Sequence, residues 1–171
     1  MKLNPWPAVR VAAGAVFIWS GSVKLLAPPE QFAATIERFE WVSGAPVTVL
    51  SLVLPWIELV GGAHLALGLW TGWAASVLWA MDSVFLVALV SVLLRKLPVE
   101  ECGCFGEGLS LSVKRMVLLD SVLWLALAGT WARRARAAAF GLDGVWKLKA
   151  ESGPKDASDR SAGARRPPAP R

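Results

Sequence analysis

Four predominantly apolar runs, at about 11–27, 47–70, 74–94 and 114–132, leave this chain little choice of fold. A helix needs about 20 such residues to cross a hydrocarbon core about 30 Å thick. Lipid offers the backbone no water to bond, so each run must close its own hydrogen bonds as a helix. The sequence therefore predicts an all-α fold, a polytopic membrane protein with a four-helix transmembrane bundle over residues 1–136. Residues 137–171 form a basic, largely disordered cytoplasmic tail on the same reading, because 151–171 have almost no bulky apolar groups.

Composition agrees. The chain is 55% hydrophobic, above the roughly 45–50% of an average soluble domain. Its ten Trp and no Tyr suit a bilayer interface, where the indole ring is apolar and its N–H stays wet. The net charge of +5 gathers after Trp131, beside an apolar run, and points to lipid headgroups rather than nucleic acid. The bilayer is the expected partner, with no nucleic acid.

The connections carry their own signals. Pro5 and Pro7 oppose helix in the first ten residues. The first run resembles a signal peptide, but no A-x-A cleavage site follows it, so a retained helix is expected. Lys24 near its end can snorkel toward the headgroups. In the connector 28–46, Phe32, Ile36, Phe39 and Trp41 form a stripe that predicts a short amphipathic helix on the membrane surface between spans 1 and 2. Pro55 should kink the second span. Thr71-Gly72, between Trp70 and Trp73, reads as the tight turn before the third.

An even number of spans puts both termini on one side. Lys2, Arg10 and the Arg133-Arg134-Ala135-Arg136 run favour the cytoplasm for that side of a bacterial cytoplasmic (inner) membrane. Arg95, Lys96, Lys114 and Arg115 pull the other way. On this topology the 96–113 loop is periplasmic or exterior.

That loop holds both cysteines, in Glu101-Cys102-Gly103-Cys104-Phe105-Gly106. As a redox pair, Cys102 and Cys104 can bridge if the backbone bends at Gly103, giving a strained, easily reduced disulfide. As a metal site, two thiolates supply half of a structural zinc set, and the single His64 lies toward the other membrane face. As plain small residues, they would cap the bundle. Gly103, Phe105 and Gly106 shape the loop in any of these readings.

Ionisable groups inside the runs are the second anomaly, because a charge at mid-bilayer costs at least about 2.5–3.5 kcal/mol. Glu58, Asp82 and Asp120 should therefore face the bundle interior, with Lys24 and Arg115 as candidate partners for Glu58 and Asp120. They read either as a polar clasp that sets helix register or as a proton-handling or quinone-contacting site. Gly61, Gly62 and Ala66 allow close helix approach, and His64 reads as a hydrogen-bonded interior residue.

Three pieces together resemble the MauE branch of the DoxX-like membrane proteins, named for methylamine utilisation. They are Ser20-Gly21-Ser22-Val23-Lys24, Leu54-Pro55-Trp56-Ile57-Glu58-Leu59 and Cys102-Gly103-Cys104-Phe105-Gly106. The resemblance covers residues 8 to about 132. It implies a four-helix membrane protein, often linked to a thioredoxin-like partner, whose founding member is implicated in maturing the disulfide-rich small subunit of methylamine dehydrogenase. By that likeness Cys102 and Cys104 are the redox pair, and Lys24 and Glu58 are matching intramembrane charged positions. One departure is Arg115-Met116, where the family pattern leads one to expect Arg-Asn, so no role of that Asn transfers.

The function this supports is thiol–disulfide exchange with a thioredoxin-like periplasmic protein, which would make the chain an oxidoreductase component. A non-catalytic anchor or assembly subunit is a second reading, and a quinone-linked oxidoreductase or small transporter a third. No cofactor has a sequence signature here; a quinone is the one class left open, and no metal is assigned.

Overall fold

The computed structural model describes residues 4–95, 112–137 and 141–143. Four of its helices are long and apolar enough to span a membrane: α1 (Trp6–Leu26), α3 (Ala45–Leu67), α4 (Thr71–Arg95) and α5 (Val113–Ala132). A short α2 (Pro29–Glu37) follows α1, and a four-residue α6 (Arg134–Ala137) follows α5. The segment 96–111 lies outside the described residues. So do the readings of Cys102, Gly103, Cys104, Phe105 and Gly106, and the disorder expected over 151–171.

The spanning helices form a ring in which α1 meets α3 and α5, and α4 meets α3 and α5. With the chain crossing back and forth, every ring neighbour is antiparallel. Residues such as Val53, Trp56, Val84, Leu118 and Leu125 point outward. Arg10, Lys24, Glu58 and Asp82 are buried instead. That inversion of a soluble protein's usual pattern is stable only with hydrocarbon outside. This is a multi-pass membrane protein.

Helix α1 starts at Trp6, earlier than the sequence suggested. Pro7 sits in its first turn, where a missing N–H costs nothing and the fixed φ suits a helix. Its buried face is a single stripe, Arg10, Ala13, Gly14, Phe17, Gly21 and Lys24 among it. That stripe docks on α3 at backbone contact. A Cβ on Gly14 would lie 2.8 Å from the Gly62 carbonyl oxygen, and one on Gly21 would lie 2.7 Å from that of Pro55. The expected role of Gly62 and Ala66 is met at this seam, while Gly61 faces Leu78 of α4. Helix α3 runs on through Pro55.

Two local expectations are corrected. The turn between α3 and α4 is Gly68–Trp70, and Thr71 and Gly72 are already helical. Gly68 takes the left-handed conformation (φ 70°) that ends α3. Asp143 accepts hydrogen bonds from the N–H groups of Trp70 and Thr71 at 2.9 and 3.0 Å, doing from afar what an N-cap does locally. Part of the expected loose tail thus belongs to the fold.

The second correction concerns α2. Its Phe32 and Ile36 are buried against Val47 of α3, and Phe39 packs with Val92, Val113 and Met116. The stripe faces protein rather than lipid. Only Trp41 stays half-exposed, its indole N–H donating to Ser91 Oγ at 3.1 Å.

Candidate functional site

The α1–α3 seam carries a buried ion pair. Lys24 Nζ lies 2.6 Å from Glu58 Oε1 and 2.7 Å from Oε2. Both side chains are about 95% withdrawn from solvent (5% and 4% exposed). Ser20, one turn before Lys24, accepts from the ammonium at 3.0 Å and donates to Glu58 Oε2 at 2.9 Å. The rings of Phe32 and Phe85 lie 4.9 and 5.6 Å from the ammonium, within cation–π range. Lys24 therefore does not snorkel. In an apolar interior a carboxylate at hydrogen-bond distance outweighs the distant headgroups.

Beyond this pair lies a polar cavity of about 40 Å³, space on the order of two or three waters. Asp82 of α4 and Asp120 of α5 line it together with Ser20, Lys24 and Glu58. Helical spacing brings them there. Thr71, Ala75, Leu78, Asp82, Leu89 and Val92 share the buried face of α4, and Asp120 sits between Met116 and Leu123 on that of α5. Asp82 is 4% exposed, and its Oδ2 meets no hydrogen-bond partner among the described residues.

The intramembrane candidates Lys24, Glu58, Asp82 and Asp120 thus converge on one place. Arg115 does not join them; it points outward. His64 is half-buried and bonds the Val60 carbonyl one turn back at 2.8 Å, with no link to the cavity. The sequence reading named Ser20 only within the Ser20–Lys24 motif and Phe32 only within the connector stripe, and passed over Phe85; it placed none of them beside the ion pair. The i, i+4 spacing of Ser20 and Lys24 was the available signal.

The helix ends that flank the cysteine-bearing segment both make contacts with the α2 connection. Arg95, at the end of α4, ion-pairs with Glu40 just after α2. Val113, at the start of α5, packs with Phe39 and Val92. Helix α4 therefore ends, and α5 begins, at the α2 end, the end toward which Lys24 lies.

The family model of methylamine utilisation protein MauE matches residues 4–133, all four spanning helices included. The chain belongs to the MauE family. A relative, the methylamine utilization protein MauE of Paracoccus denitrificans, is 28% identical over 121 residues. That match takes in 71% of this chain but 64% of the relative, so the chain spans less than two thirds of the relative's length. No solved structure matches. Within the MauE match lie Ser20, Lys24, Glu58, Asp82, Asp120 and both cysteines.

Proposed function

We propose that this chain is a redox-associated membrane protein of the methylamine-utilisation type that assists thiol–disulfide exchange during maturation of exported proteins. Its partner on this reading is a thioredoxin-like protein outside the cytoplasmic membrane. What carries the reading is membership of the MauE family by a chain whose two cysteines stand one glycine apart, between α4 and α5 in the sequence. In the exchange, a thiolate of one cysteine attacks the partner's disulfide and releases one partner thiolate. The second cysteine then attacks the mixed disulfide, leaving a Cys102–Cys104 disulfide and a partner dithiol; the reverse sequence balances equally.

The test is the redox state of the pair in intact cells. Acid-quenched cells are labelled with a heavy, membrane-impermeant maleimide before and after reduction. A mixture of oxidised and reduced forms that responds to added reductant supports the proposal, as does a trapped mixed disulfide in Cys104→Ser or Cys102→Ser. If both substitutions leave maturation of exported proteins untouched, the chain is an anchor or assembly subunit instead.

A further inference from the structure

Beside the polar cavity runs a second hollow, an apolar groove of about 480 Å³ between α3 and α4, roofed by the α2 connection. It opens toward lipid past Ala80 and Val84, both exposed. Phe39, Trp41 and Phe85 give it aromatic walls. Met81 and Phe85 line both the groove and the polar cavity, so the two hollows adjoin at these side chains. Its volume falls in the usual range of small-molecule sites, about 300–1,000 Å³.

We propose that groove and cavity together form one binding site for a neutral, ring-headed isoprenoid of the quinone–quinol class. The tail fills the groove, the ring rests on Phe85 and Met81, and a ring oxygen reaches the polar cavity. Three observations choose this occupant over an ordinary membrane lipid. The cavity sets one ammonium, already held by Glu58, against three carboxyl groups, so a phosphate or fatty-acid head would meet like charge. A volume of about 40 Å³ admits a single oxygen and a water or two, not a phosphodiester head. Asp82 lines that cavity, and its Oδ2, buried without a partner among the described residues, is the acceptor that a quinol hydroxyl would satisfy.

Binding stands apart from the thiol chemistry, but its use rests on the function proposed above. A dithiol that closes to a disulfide gives up two electrons and two protons. A quinone that takes both becomes the quinol, so the site would hold the electron acceptor for Cys102 and Cys104.

The experiment uses the full chain, extracted from its membrane in polymer-bounded lipid discs, with quinone and phospholipid quantified by chromatography. The expected result is about one quinone or quinol, counted together, per chain, at least about tenfold enriched over their ratio to phospholipid in the parent membrane. Ala80→Trp, on an outward-facing position that costs the bundle no core space, should block the groove and cut bound quinone about tenfold. Asp82→Leu should weaken retention by a similar factor. Both are read beside a thermal unfolding midpoint, which shows whether the bundle has formed. The double Cys102→Ser, Cys104→Ser variant should keep its quinone while losing exchange, which separates this proposal from the functional one. Quinone at no more than the membrane ratio, a stoichiometric phospholipid in its place, or retention unchanged in folded Ala80→Trp and Asp82→Leu overturns the assignment. Loss of quinone in the cysteine variant alone overturns it too, because the site would then lie in the cysteine segment.

Discussion

The α1–α3 half and the α4–α5 half of the ring bury charge in opposite ways. Between α1 and α3, Lys24 and Glu58 satisfy each other and Ser20, in a seam where Gly14, Gly21 and Gly62 bring the backbones into contact. Between α4 and α5 the contact is made by side chains. Trp79 and Trp124 meet at 5.2 Å between ring centroids, and the Trp124 indole donates to Ser83 at 2.9 Å. The acidic groups on that side, Asp82 and Asp120, line the cavity without any ion pair among the described residues. A paired buried charge holds helices in register. An unpaired one in the same membrane is costly, and such groups persist where a protein handles ligands or protons. One half of the bundle thus pairs its buried charges with each other, and the other leaves its acidic side chains without an ion pair among the described residues.

That contrast can be broken by substitution. Lys24→Met leaves Glu58 buried without its counter-charge, with only the Ser20 hydroxyl still donating to it, and should cost about 3–5 kcal/mol. Thermal unfolding in lipid discs should show the largest drop of any single change here. The double Lys24→Met, Glu58→Leu variant should recover most of it, since an apolar pair of similar volume often replaces a buried ion pair without loss. If the double variant is no better than the single, the pair is not a self-contained clasp.

Overpacking the seam comes next. Gly21→Val places atoms against the Pro55 carbonyl oxygen and the Leu59 nitrogen, which are backbone and cannot swing away. The expected loss is about 1–3 kcal/mol. Gly72→Ala is the control, since a Cβ there meets only the flexible Arg134 side chain, at 3.2 Å.

Asp143→Ala should cost about 0.5–2 kcal/mol, the usual range for removing a capping side chain. Hydrogen exchange at the Trp70 and Thr71 amides should quicken, because both donate to that carboxylate. Protection unchanged at those two amides would mean that the cap is not formed in the membrane.

Asp82→Leu should change stability least, or raise it, because it removes a buried acceptor that has no partner among the described residues. Biological activity should nevertheless fall. A loss of stability matching that of Lys24→Met would make Asp82 part of the clasp and erase the difference between the two halves.

Much of this was legible in the residues. Run length and hydropathy are local properties, so the four spans, the short helix after the first and the position of the cysteine segment follow directly. The Lys24–Glu58 pairing was legible too, because both interrupt apolar runs and need an opposite charge. Rotation was not. Helices α3 and α4 are apolar on nearly every face, so their sequence gives little sign of which side meets lipid and which meets protein.

Tertiary structure alone decided the rest. Lys24 turned inward because Glu58 came within 2.6 Å, whereas Arg115, an equally plausible partner by sequence, faces away from Asp120. The Phe32 and Ile36 stripe met α3 before it met lipid. Asp143 became the cap of a helix 72 residues earlier. The sequence by itself determined how often the chain crosses the membrane and which polar groups had to be hidden there, since transfer into lipid is a property of each residue. Only packing decided which of those groups face one another, because that depends on how four helices turn about their axes at contact distance.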